Sequence, residues 1–479
     1  MNKHIIYLIA LFFITAACSC SKQNGDSSGQ GDNTPDLKEQ NLLRAMELVD
    51  NAIVHYFNES DMAMSRYYNP YTDAKSSEIG SIWMYTSSIE AVNAVMKALN
   101  AAKEAGDASL YNQHYEKYKA LMAKLVDKMA YYKGTFTLQS FTQTREWSVY
   151  AVNRASAPGG ADVAGVMNVY DDQMWLVREL IEAYELTGNK SYFDEAEYLA
   201  EYVLDGWDCT LKDGKERGGI TWGPGYYSKH SCSNGPMVSP CVWLAEHYKG
   251  KDDTTTWRYI AEDGRTRTSE TMKKYDYYLM FAKKIYHWQK DNLLYEDSGV
   301  YADNLNGPVI GGNIQYDEID GQYYRKPSDL KDLCGPAISY NSGTMLSGAA
   351  DLYRVTGEKV YFDDMKALTD NSFRYFAKLG ETKPGLYTYA INGFNNWFNG
   401  VLMRGYVDVY PFYNGAAEPV DSFQMNLDYA YENYIYEGML PHSLLVGWNT
   451  DRSKNNVEGM FEFAFAAEYA LLSAYLTQN

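Results

Sequence analysis

Two stretches far apart in the chain are near copies of each other. "AYELTGNKSYFDEAEYLA", beginning at Ala183, resembles "LYRVTGEKVYFDDMKALT", beginning at Leu352. In each, a tyrosine precedes a Thr-Gly pair, and Tyr-Phe-Asp follows a few residues later. Glycine reaches the left-handed backbone conformation that closes a helix, so Gly188 and Gly357 mark helix ends with a second helix starting soon after. A weaker echo, "AAKEAGDASLYNQHYEKY", lies upstream. The repeated unit is a helical hairpin. Such a unit buries its apolar face only by stacking on its neighbours.

Helical spacing of apolar residues runs through the whole chain from Asp36 onward. It is present in "LKEQNLLRAMELVDNAIVHYF", "SIEAVNAVMKALNAAKEAG", "PMVSPCVWLAEHY", "MKKYDYYLMFAKKIYHWQ" and, last, "VEGMFEFAFAAEYALLSAYL". The pattern yields about a dozen helices, or about six hairpins. An open array would need polar capping units at its ends, so the expectation is an all-α fold closed into an (α/α)6 toroid. Its functional site would lie where loops gather at one end of the inner helices. No Pro/Gly-rich linker divides residues 37–479, which read as one domain of catalytic size.

The first residues read as targeting rather than fold. "MNKHIIYLIALFFITAACSCSK" has a basic start, an apolar run and small residues up to Cys18. "TAAC" resembles a bacterial lipobox, which makes residues 1–17 a lipoprotein signal peptide and Cys18 the lipidated residue. Residues 18–36 are rich in Gly, Ser and Asp and read as a flexible tether. The expectation is a monomer of the cell envelope, touching the membrane only through its lipid, whether at the outer surface or in the periplasm. No later apolar stretch is long enough to span a bilayer.

A net charge of −19 argues against nucleic acid or an anionic membrane surface as partner and favours a neutral ligand. The chain holds 45 tyrosines, and tyrosine suits both helix packing and sugar-lined grooves. Cys209, Cys232, Cys241 and Cys334 could form disulfides in an oxidising compartment, with three complete pairings open. Neither these cysteines nor nearby His230 and His247 have metal-ligand spacing, and no metal or cofactor is expected.

The chemistry points to "NVYDDQMWLVRELIEAYELTGN", from Asn168 to Asn189. Leu176, Val177, Leu180, Ile181 and Tyr184 share one helical face, with Arg178, Glu179, Glu182 and Glu185 largely opposite. Asp171 and Asp172 open the helix. Their adjacent Cα atoms lie about 3.8 Å apart, which allows carboxylates around 5 Å apart. That suits a retaining glycosidase, whose two carboxyl groups sit about 5–5.5 Å apart, better than an inverting one. A helix start favours an anion and would lower one pKa, while repulsion between close charges would raise the other. The plain alternative is a capping aspartate followed by a first-turn charge.

The same segment resembles the signature of glycoside hydrolase family 76, the endo-α-1,6-mannanases, in which an Asp-Asp pair is followed by a tryptophan, a long helix and a Thr-Gly turn. "IGSIWMYTSSIEAV" around Trp83, "RGGITWGPGYYSKHSCSNGPMV", "ISYNSGTMLSGAADLYRVTG" and "NWFNGVLMRGYVDVY" resemble further family blocks, in order. His230 stands where the family pattern has asparagine, and Ser342 where it has glutamine. The resemblance implies an (α/α)6 toroid that hydrolyses α-1,6-mannan with retention, with Asp171 as nucleophile and Asp172 as acid/base. It also implies that Trp222, Lys229, Asn234, Tyr340 and Asn341 line sugar subsites. Trp175 reads as packing and Arg404 as half of a structural ion pair. Two competing readings are a non-catalytic, SusD-like glycan-binding lipoprotein and a toroid hydrolase or transglycosidase acting on another glycan.

Overall fold

Twelve α-helices lie among the described residues of the computed structural model, which are 35–307 and 311–478. The leader, Cys18 and the tether through residue 34 lie outside them. In chain order the helices are α1 (Leu37–Tyr56), α2 (Ile82–Glu104), α3 (Ser109–Lys128), α4 (Tyr170–Thr187), α5 (Lys190–Asp205) and α6 (Val238–His247). They continue as α7 (Lys274–Leu293), α8 (Ser339–Thr356), α9 (Lys359–Phe376), α10 (Asn395–Val409), α11 (Ala417–Tyr434) and α12 (Gly459–Gln478). The even-numbered helices form an inner ring: α2 packs on α4, α4 on α6, α6 on α8, α8 on α10, α10 on α12, and α12 back on α2. Each odd-numbered helix packs outside this ring, α1 against α12. The result is the closed (α/α)6 toroid that the hairpin repeats imply.

The two matching hairpins repeat down to their hydrogen bonds. Gly188 and Gly357 have φ of +70° and +68°, and their N–H groups donate to the Tyr184 and Tyr353 carbonyls. Thr187 and Thr356 each donate a hydroxyl to the carbonyl four residues back. Inner helices also approach closely. A Cβ on Gly343 of α8 would sit 2.4 Å from the Val401 carbonyl oxygen of α10, and one on Gly405 would sit 2.6 Å from the Gly343 carbonyl oxygen. Only a bare Cα allows the two backbones that near.

The polar face of α4 departs from the sequence reading. Arg178 and Glu179 are buried, because an inner helix is covered on its axial side as well as its outer side. Asn93 Nδ2 donates to Glu179 Oε2 at 2.9 Å, and Arg178 pairs with Glu182 at 3.3 Å. Burial, helped by the charges of Glu182 and Glu90, pushes the Glu179 carboxyl up to about 8.

Two long β-hairpins were not foreseen. Lys133–Gln139 pairs with Thr144–Tyr150 between α3 and α4, and Thr254–Ile260 pairs with Arg267–Lys273 between α6 and α7. Their threonine-rich strands, such as "TTTWRYI", show one-sided and partial burial, too faint a period to register against the helical pattern. Cys209, Cys232, Cys241 and Cys334 are all free thiols, so none of the three pairings forms among the described residues.

Candidate active site

The first turn of α4 is held in place by residues around it. Its N-cap is Val169, whose side chain cannot accept a hydrogen bond, so neither aspartate is used as a cap. The Tyr170 N–H donates to the Trp222 carbonyl at 2.9 Å, fixing the following loop beside the helix start. Gln173 exchanges hydrogen bonds with the backbone of Tyr150 at 3.1 and 2.8 Å, fastening the turn to the first hairpin. Asp171 and Asp172 are thereby left to face a cleft of about 450 Å³.

That cleft opens where α2, α4, α8 and α10 begin, and its walls are aromatic. Trp175 and Trp83 meet Trp397 edge to face, with centroids 4.8 and 5.3 Å away. Tyr340 stacks on Phe398 at 4.5 Å. Flat ring faces beside carboxylates suit a sugar, which offers apolar C–H patches and hydroxyls together.

The expected site residues divide into two groups. Asp171, Asp172, Trp222 and Tyr340 come together in the cleft. Lys229, Asn234 and Asn341 do not line it, which corrects their placement as sugar contacts. Lys229 borders a second cavity, of about 550 Å³, and its ammonium is spent on Asp208 at 2.7 Å and on the Gly218 carbonyl. Asn234 braces the loop: its carbonyl accepts the Ile220 N–H at 2.8 Å, and its amide donates to the Ile220 and His230 carbonyls. Buried Asn341 donates to the Ala302 carbonyl at 3.1 Å. Sequence adjacency does not say which side of a loop a residue faces. Lys229 and His230 are consecutive residues of one short strand, so period-two alternation sends the first into the rear cavity and the second into the cleft.

Several cleft residues escaped the sequence reading. Trp175 is packed as expected, yet its indole N–H also donates to Asp171 Oδ1 at 3.1 Å. Its position four residues after Asp171 was the available signal, since side chains one turn apart meet on a helix. Cys232 and Asp303 also line the cleft, and nothing local in the sequence sets them apart.

The aspartates differ in the expected direction but not by the expected route. Burial is the largest influence on each and raises both. Asp171 is pushed up only to about 6, because Cys232, Trp175, His230 and Trp222 oppose the burial. Asp172 is raised well above the usual carboxylate range, by burial and then by the charge of Asp171. Asp171 is therefore the easier of the two to ionise and Asp172 the more reluctant to give up its proton. Two adjacent carboxyls that differ in this way can serve as a nucleophile and a proton donor.

Solved structures with the same architecture include the family 76 mannosidase of Bacteroides thetaiotaomicron VPI-5482, at 20% identity and TM-score 0.65 over 92% of this chain and all of that one. An inactive variant of the α-1,6-mannanase of Salegentibacter sp. HEL1_6, with two consecutive aspartates replaced by alanine and α-1,6-mannotetrose bound, aligns at 19% identity and TM-score 0.59. That alignment covers 92% of this chain and 100% of the relative. A D-mannose isomerase, at 9% identity and TM-score 0.54 over 93% of this chain and 100% of its own, shares the architecture too. The toroid alone therefore does not fix the chemistry. No curated protein matches the chain in sequence. The sequence profile of Glycosyl hydrolase family 76 matches residues 84–262 and 269–477, and the chain belongs to that family.

Proposed function

We propose that this glycoside hydrolase is a retaining, endo-acting α-1,6-mannanase. The observation that carries the reading is the unequal pair of consecutive aspartates in one aromatic cleft, Asp171 the easier to ionise. Consecutive aspartates are also what was removed to inactivate the Salegentibacter α-1,6-mannanase that holds α-1,6-mannotetrose. In the first step Asp171 attacks the anomeric carbon while the glycosidic C–O bond breaks, and Asp172 gives its proton to the departing oxygen. In the second, Asp172 takes a proton from water as the water oxygen bonds to that carbon. The ester breaks and the Asp171 carboxylate returns.

The test is incubation with linear α-1,6-mannan, followed by proton NMR of the first products. Short manno-oligosaccharides with α-configured new reducing ends are expected. Tight binding with no cleavage would leave a glycan-binding protein instead, and β-configured ends would rule out the double displacement.

We propose further that the enzyme works as a monomer at the cell envelope, held by lipid on Cys18, where a polymer too large to enter the cell would reach it. Labelled palmitate should be incorporated by the parent chain and not by Cys18→Ala; equal labelling of both would remove the anchor from Cys18.

A further inference from the structure

The Trp222 indole N–H is shut off from solvent and makes no hydrogen bond of ordinary geometry. A buried donor without an acceptor is costly and uncommon in a folded protein. The rest of the residue is tightly held. Its backbone N–H donates to the Ser228 carbonyl and its carbonyl accepts from Tyr170, the residue directly before Asp171. Its ring is stacked on His230, with centroids 4.7 Å apart and planes at 28°, and meets Tyr226 at 4.7 Å. His230 is fixed in turn, with Nε2 2.9 Å from Ser228 Oγ and Nδ1 3.9 Å from Asp303 Oδ1. An asparagine, which the family pattern has at this position, offers no ring to stack on an indole.

We propose that Trp222 is a positioning residue for Asp171: clamped by His230, it aims a second indole N–H at the carboxylate that Trp175 already holds, and His230 is the clamp. The inference deepens the proposed function and rests on Asp171 being the nucleophile. One indole fixes Oδ1 by a formed hydrogen bond. The second lines the same cleft as that carboxyl and favours its charged form, which keeps it ionised and eases its departure from the glycosyl ester. Groups with charge or protons around Asp171 are Asp172 on its own helix, His230 and Cys232 on the loop, Asp303 beside His230, Tyr226, and Tyr340 on α8. Phenylalanine in place of Trp222 alters none of them.

Trp222→Phe keeps the ring and the stack and removes only the N–H. Its kcat should fall roughly tenfold, the size of one hydrogen bond to a charged group, with KM within about twofold, and the acid limb of kcat/KM should move to higher pH. His230→Asn should move both in the same direction, and His230→Phe should restore them in part. A rise in KM alone, with kcat and the acid limb unmoved, would make Trp222 a sugar platform and overturn the proposal. A second readout needs no substrate. Among the 10 tryptophans the Trp222 indole N–H resonance, identified by its loss in Trp222→Phe, should follow the Asp171 titration and stop doing so in Asp171→Asn. An indole signal indifferent to Asp171→Asn would also sink the assignment. A parent chain that cleaves no mannan, with the indole still tracking Asp171, would overturn the mannanase reading and leave this one standing.

Discussion

Asp171→Asn is expected to lower turnover of linear α-1,6-mannan by about 10⁴-fold or more, the usual cost of removing a nucleophile. Asp172→Asn should lose about 10²- to 10⁴-fold, the contribution of a placed acid/base. The two should also differ in kind. An activated substrate whose leaving group needs no proton should still form the ester in Asp172→Asn, and added azide should release the product. Neither recovery is available to Asp171→Asn. Because burial and the Asp171 charge favour the neutral form of Asp172, the amide is close to an isostere and the variant should melt no lower than the parent. In the parent, kcat/KM should climb with pH through about 6 as Asp171 ionises, then fall at higher pH as Asp172 loses its proton. These limbs belong to the pair, since each ionisation depends on the other. Removing the Asp171 charge should lower the Asp172 titration, because that charge is one of the two causes raising it. Activity within tenfold of the parent in both variants would show that the chemistry lies elsewhere.

The second large effect is expected directly behind the cleft wall. Arg404 of α10 pairs with Glu90 of α2 at 2.5 Å across the ring, and its guanidinium lies 5.4 Å from the Trp175 ring centroid. The other Glu90 oxygen accepts the Trp397 indole N–H at 2.9 Å. One largely buried ion pair thus backs two tryptophans of the cleft wall. Arg404→Met removes the cation and leaves a carboxylate facing one N–H in a poorly solvated setting, an imbalance that costs about 3–5 kcal/mol. Denaturant unfolding should show that loss, and should show Arg404→Met with Glu90→Gln recovering part of it, because the pair is coupled. Additive losses would mean that the two side chains do not stabilise each other. Mannan cleavage by Arg404→Met, measured well below its unfolding midpoint, should drop as well, since Trp175 holds Asp171.

The helices were legible because each must bury a stripe, and a stripe at helical spacing can be read one residue at a time. The Asp-Asp pair was legible for a similar reason. Both carboxyls belong to one turn, and the family resemblance reaches well beyond them. Lys229, Asn234 and Asn341 show where that reasoning stops. All three sit in blocks that resemble the family, yet the fold turns them into the rear cavity, the loop and the protein interior, respectively.

The sequence alone determined the hairpin unit, its repetition, the helix ends at Gly188 and Gly357, and the placing of two adjacent carboxyls at the start of α4. These are properties of residues within a turn or two of each other, and backbone geometry fixes them locally. Only the closed ring decided that Trp83, Trp175, Trp222, Tyr340 and Trp397 share one cleft, that Arg178 and Glu179 are buried, and that Asp171 gives up its proton more readily than Asp172. Burial, stacking and ionisation depend on what arrives from distant parts of the chain, and that is set by how the helices close, not by any short stretch of residues.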